Sequence, residues 1–207
     1  MATGTGEYHR RVAEQKRAAI VEAATTLFVA QGYAGTSLAR VAEEAGVSRA
    51  TLFKQFPTKG SLFEAIVTEN WGLEDDGGTD PGPGDLAAGL REYGRRYAVL
   101  MSRPQMVGLH RIVIAEMPRF PDVAEAQFSL GKMPFFDAVD RYLRAEHDNG
   151  TAQVDDPVTA TTQFLGMIAN FVFWPRLLVV DWEPTAAEVD RAVAEAVTTA
   201  VARYGRR

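Results

Sequence analysis

Apolar residues recur every three or four positions along almost the whole chain, and nowhere do they alternate with polar ones. That period puts them on one side of a helix rather than one face of a strand, so the chain is expected to be all-α. Residues 10–31 align Ile20, Ala24, Leu27, Phe28 and Gln31, with Gly32 as a left-handed stop. Thr36 is expected to begin a second helix, packed through Leu38, Val41, Ala42 and Ala45. Gly46 breaks it, Ser48 caps a short third helix that Pro57 closes, and Thr58 caps a fourth carrying Leu62, Phe63, Ile66 and Val67.

Beyond this cluster, residues 72–84 are half Gly or Pro and mostly acidic otherwise, which reads as a mobile, solvated connection. Helical signals return at 86–102 and again from Pro104 to about Met117. One long helix is expected from Pro121 to about His147, and an apolar segment from Asp155 or Asp156 to about Val180. The last helix opens on Thr185-x-x-Glu188, a capping box. The expectation is about nine helices, with residues 1–66 as one domain and 67–207 as a second.

Composition narrows the setting. At 46% apolar types, 207 residues suffice for a sizeable core. The absence of cysteine excludes disulfides and thiolate metal sites. The first residues lack a signal-peptide design and no apolar run of about 18 residues occurs, so a soluble cytoplasmic protein is expected. The net charge of −5 is unevenly spread. Residues 1–65 hold eight Lys/Arg and six Asp/Glu, or +2, and the remainder fourteen and twenty-one, or −7.

Residues 36–56, two short helices about Gly46, have the form of a helix-turn-helix, whose second helix enters the DNA major groove. Gly46 supplies the positive φ of so tight a turn, and Val47, Leu52 and Phe56 would face inward. Arg49, Ala50, Phe53 and Lys54 would then face out, with Thr51 and Gln55 on the flanks. Arg49 can bind guanine O6 and N7 bidentately, and Ala50 lets the backbone come close. Thr36, Ser37, Ser48, Thr51, Lys54, Gln55 and Lys59 supply hydroxyl, amide and cationic groups for phosphates and register.

The run TSLARVAEEAGVSRATLFKQFPTKGSLF resembles the DNA-binding signature of tetracycline-repressor (TetR) family regulators. The resemblance covers about residues 12–66. That family usually has Tyr at the position of Phe53, often His or Tyr at Gln55, and an acidic residue at Gly60. Phe53 lacks a phosphate-binding hydroxyl, so weaker or differently specific DNA binding is expected, without its loss. The segment RIVIAEMPRFPDVAEAQFSLG is similar to the AefR-like subgroup of regulatory domains.

The resemblance implies operator DNA as partner, a homodimer through the last two helices, and repression released by a small effector. Valines and small residues on more than one side of the last helix are consistent with that dimer. A ligand pocket would lie among Tyr93, Tyr97, Met101, Met106, His110, Phe128, Phe136, Met167, Asn170, Phe171 and Trp174, which suits an apolar or aromatic ligand. No cofactor, metal or membrane partner is expected. Enzymatic chemistry is not expected either: His9, His110 and His147 lack ligand spacing, and no phosphate-binding Gly loop or nucleophile elbow occurs. The alternative is a protein of the same fold that acts mainly through a protein partner.

Overall fold

The computed structural model describes residues 3–72, 80–179 and 181–206. The elements in order are α1 (Thr3–Gly35), α2 (Leu38–Glu44), α3 (Arg49–Gln55), α4 (Lys59–Trp71), α5 (Leu86–Ser102) and α6 (Pro104–Glu116). They continue with α7 (Pro121–Ala126), a π-helical stretch (Gln127–Lys132), α8 (Met133–Asp148), α9 (Pro157–Val172), α10 (Trp174–Leu178) and α11 (Ala186–Tyr204). Among the described residues there is no strand, only an isolated bridge between Ala152 and Gly205. The fold is all-α. Of the connection expected over 72–84, residues 73–79 lie outside the described residues.

Most helix ends follow from local chemistry. Asp85, Asp156 and Thr185 each accept a backbone N–H at the start of α5, α9 and α11, and Thr185 with Glu188 forms the expected capping box. Thr58 Oγ1 accepts the Ser61 N–H at 3.0 Å while Ser61 Oγ accepts the Thr58 N–H at 3.2 Å, a reciprocal cap on α4. Gly32, at φ 76°, interrupts α1, so residues 33–35 form a separate turn.

Two expected helices are broken. The helix from Pro121 to His147 widens into the π-helical stretch at Gln127–Lys132, which separates α7 from α8. The apolar segment to Val180 ends earlier: Pro175 has no N–H to continue α9, and the chain restarts at Trp174 as α10. The short α7 and α10 are the pieces these breaks create.

The chain divides into two compact units, one of residues up to Asn70 with Gly108–Leu130, the other of Trp71–Val107 with Gly131–Arg207. In the first, the stripe Ile20, Ala24, Leu27 and Phe28 of α1 is buried, as are Val41 and Ala42 of α2, Leu52 of α3, and Leu62, Phe63, Ile66 and Val67 of α4. The later part of α6 belongs here too: a Cβ on Gly108 would lie 2.9 Å from Val29 Cγ2, so glycine allows α6 to approach α1.

The second unit packs α5, α8, α9 and α11 about Leu90, Tyr93, Val139, Phe164, Ile168 and Val197. Gly94 marks a close approach, since its Cβ would stand 3.0 Å from Val193 Cγ1 and 3.1 Å from Ile168 Cδ1. Glu146 is fully buried in this unit. Its carboxylate accepts hydrogen bonds from the Tyr142 hydroxyl at 2.5 Å, the Gly84 N–H at 3.2 Å and the Thr151 hydroxyl. A buried polar group with these donors avoids the cost of lost hydration.

Candidate nucleic-acid interface

The geometry of the corner follows from two serines and a glycine. Ser37 Oγ accepts the Arg40 N–H at 3.2 Å and so caps α2; Ser48 Oγ accepts the Thr51 N–H at 3.1 Å and caps α3. Between them Gly46 adopts φ 64°, the left-handed conformation that favours glycine. The Gly46 N–H reaches Glu43 O at 3.1 Å and the Val47 N–H reaches Ala42 O at 3.0 Å, which closes the end of α2.

α3 is then anchored from one side. Leu52 is wholly buried and Phe56 nearly so, with the Arg17 guanidinium 4.7 Å above the Phe56 ring. Val47 is only half-buried. The opposite side carries Arg49, Ala50, Phe53 and Lys54, all exposed, and Thr51 and Gln55 are half-buried on the flanks. Arg49 and Lys54 make no ion pair among the described residues, so both charges are available to an anion. Arg40 differs: it is committed to Glu43 at 2.9 Å and Glu44 at 3.7 Å.

Two residues expected at phosphates turn inward. Thr36 is buried, with its hydroxyl within reach of the carbonyls of Gly32 at 3.0 Å and Leu27 at 3.2 Å. Ser37 takes the capping position that Thr36 was expected to open, because Thr36 is needed to tie the end of α1. Lys59 donates to the Tyr33 carbonyl at 2.7 Å and lies 4.7 Å above the Tyr33 ring. Burial pulls its pKa below the ordinary lysine value, and the Glu116 carboxylate opposes that shift. Glu116 in turn accepts the Ala34 N–H at 3.0 Å, and the Tyr33 and Phe120 rings stack edge-on at 5.1 Å. The ends of α1, α4 and α6 are thus joined in one polar and aromatic knot. Gly60 stands beside it, its Cβ position 3.7 Å from Asp122 Oδ2, so an acidic side chain there would meet a like charge.

The residues expected to line a ligand pocket scatter. Tyr93, Tyr97, Met101 and Met106 are buried; Tyr97 packs against Phe135 at 5.3 Å and half-buried Phe136 at 6.1 Å. Burial raises the Tyr93 hydroxyl to about 12 and Tyr97 further, so both remain neutral. His110 is half-buried against Gln127, whose Nε2 lies 3.3 Å from His110 Nε2, and Phe171 stacks on Trp182 at 6.0 Å. Phe128, Met167, Asn170 and Trp174 are exposed, so they face away from their own core. For Met167 and Asn170 the reason is helical phase: α9 turns Phe164, Leu165 and Ile168 inward. Among the described residues no group of acids and histidines could hold a metal ion, and no helix is long and apolar enough to cross a membrane.

One set of residues near α3 has no counterpart in the sequence expectations. His9, Arg10, Lys16 and Arg17 on α1 line a groove of about 530 Å³ together with Thr51, Lys54 and Gln55 on α3. The pairs His9–Arg10 and Lys16–Arg17 stand seven residues, two helical turns, apart, and that repeat was the available signal. It continues the buried stripe of α1 toward its N-terminal end with cations in place of apolar side chains.

Comparison with known proteins adds to this geometry. A family model described as the AefR-like transcriptional repressor, C-terminal domain, matches residues 88–206, more than half of the chain. A second, described as bacterial regulatory proteins, tetR family, matches residues 20–66. The HTH-type transcriptional regulator RutR of Escherichia coli strain K12 is 40% identical over 65 residues, 31% of this chain and 30% of RutR. The first curated relatives are thus matched over less than a third of their own length. The HTH-type transcriptional repressor AcnR of Corynebacterium glutamicum is 26% identical over 154 residues, 74% of this chain and 78% of AcnR. The solved structure of the flavonoid-responsive regulator FrrA shares the fold with a TM-score of 0.73 at 26% identity, covering 94% of this chain and 99% of that one.

Proposed function

The chain belongs to the TetR family of bacterial transcriptional regulators, and from that premise we propose that it is a repressor that binds palindromic operator DNA as a homodimer. The observation that carries the proposal is α3, a capped helix anchored by Leu52 and Phe56 that presents Arg49, Ala50, Phe53 and Lys54 to solvent. A guanidinium in the first turn of such a helix is placed to read guanine, and its neighbours to hold phosphates. Residues 1–66 serve DNA binding, and residues 67–207 serve ligand binding and dimerisation. Repression, in place of activation, is supported by the likeness to the AefR-like repressor domain and to AcnR.

Dimerisation would use α9 and α11. Val158, Met167 and Trp174 are exposed along α9 and the start of α10. Ala194, Thr198 and Ala202 form a small, exposed face on α11. Small side chains let a second helix come close, and the apolar ones gain by leaving water. Two recognition helices about 34–36 Å apart would then match half-sites one turn apart.

The effector in this reading is an apolar or aromatic small molecule, an idea supported by the flavonoid response named for FrrA. Its binding would act through α6, whose last residue Glu116 accepts the Ala34 N–H, and through Phe120, which follows it and packs against Tyr33. The linkage is reciprocal, so an effector that releases DNA must bind the DNA-bound dimer less tightly. An effector that binds and leaves operator affinity unchanged refutes this release mechanism.

Selection of fragments of its own genome by the purified protein, followed by footprinting, tests the proposal; two protected half-sites in a palindrome are expected. Absence of binding at low salt refutes it and turns to a protein partner, for which the exposed Phe53 ring would be the contact.

A further inference from the structure

The first turns of α1 stand apart from any core. Residues 6–11 and 13–18 are exposed, so apolar burial does not explain their place in the fold. Their charge is nevertheless ordered. Stepping back from buried Ala24 and Ile20 by three and four residues reaches Arg17 and Lys16, then Ala13, then Arg10 and His9. One side of a single helix therefore changes from apolar to cationic at Arg17. It continues to face α3 across the groove of about 530 Å³ that Lys54, Thr51 and Gln55 line from the other side.

Four cationic side chains converge on this groove, and the one carboxylate in its lining is Glu14, 3.9 Å from Arg10 Nε and well exposed. Four cations against one carboxylate in the lining leave a net positive charge that repels itself, and an anion along the groove relieves that repulsion. The anion must be extended, because Arg10 and Arg17 lie two turns of helix apart, about 10 Å by helical rise. Arg17 is braced on the Phe56 ring and by Glu69 at 3.9 Å, and Arg10 shares Glu14 at the same distance, which leaves Lys16 and Lys54 without an ion pair among the described residues.

We infer that the cationic face of α1, chiefly Arg10 and Lys16, is a second DNA-contacting surface that holds the phosphate backbone beside the major groove entered by α3. The inference rests on the proposed DNA binding, since Lys54, Thr51 and Gln55 belong to both surfaces. Its chemistry is different: α3 reads base edges, whereas α1 neutralises phosphates without regard to sequence.

The test uses the full chain and a duplex of about three helical turns containing a fragment that the wild type has selected. The double variant Arg10→Gln/Lys16→Gln should reduce the slope of log affinity against log salt by about 1.8, that is 0.9 for each lost contact, with base preference unchanged. Glu14→Gln should bind more tightly at low salt, and it covers the case in which the double variant folds poorly. Wild-type slope and affinity in the folded double variant, together with no gain in Glu14→Gln, overturn the inference while α3-mediated binding stands. If the wild type binds no duplex at low salt, the DNA-binding proposal itself fails.

Discussion

Lys54 and Lys59 are separated by five residues and by a difference in purpose that one pair of substitutions can expose. Lys54 projects from the exposed side of α3, whereas the Lys59 ammonium sits on the Tyr33 carbonyl at 2.7 Å and above the Tyr33 ring at 4.7 Å. Methionine keeps most of either stem and removes the charge. For Lys54→Met, folding stability should change by less than about 0.5 kcal/mol, as for an exposed position without partners. Its DNA affinity should lose about 0.9 from the salt slope, the value of one phosphate contact.

For Lys59→Met two interactions vanish. A hydrogen bond to a charged donor is worth about 1.5–3 kcal/mol, of which half-exposure keeps the lower end, about 1.5. The cation above the ring adds about 0.5 kcal/mol. The expected loss is therefore about 2 kcal/mol, read as a lower urea midpoint, with an unchanged salt slope in the variant that remains folded. The reasoning is refuted if Lys59→Met leaves the midpoint alone and lowers the slope by about 0.9. That result would place its ammonium on DNA and make the Tyr33 contact incidental.

Three further outcomes follow from the geometry. Gly89→Ala would put a Cβ 2.0 Å from the Tyr142 hydroxyl that serves Glu146, so despite a helix-propensity gain of about 1 kcal/mol it should destabilise by about 2 kcal/mol net in urea denaturation. Gly46→Ala meets no atom within 4 Å, so its cost should be the backbone's alone, about 1–2 kcal/mol at φ 64°, with Gly46→Asn recovering part of it. Hydrogen bonds from Arg95 and then Arg96 hold the Glu92 carboxyl below its ordinary pKa. Its stabilisation is therefore full above about pH 4.3 and lost as pH falls through the lower folded value, and Glu92→Gln should flatten that part of the acid-denaturation curve.

The helices were legible because their causes are local. Capping residues, proline, and the three-to-four spacing act within a few residues of the chain, and Gly46, Ser48, Pro104 and Thr185 could be read directly. The two misplaced spans fail for a local and a tertiary reason. Pro175 is visible in the sequence and ends α9 by its missing N–H, whereas the π-helical stretch at Gln127–Lys132 has no such marker and arises in the folded context.

The two sides of α3 were legible in outline, because helical phase alone assigns Leu52 and Phe56 inward and Arg49, Phe53 and Lys54 outward. What periodicity does not carry is the destination of a polar group once a third element comes near. Thr36 and Lys59 have the residue types of phosphate contacts, and so does Lys54. Only the carbonyls left open where Gly32 breaks α1 separate them, by giving Thr36 and Lys59 acceptors inside the protein. The same limit works in reverse on α1. Arg10 and Lys16 look in sequence like a solvated helix face, and nothing local distinguishes them from Arg91 or Arg95. Their claim to a partner comes from α3 lying across the groove, which supplies another cation and no carboxylate. A cation finding an acceptor in its own chain is structural; one facing other cations is left for a ligand to neutralise.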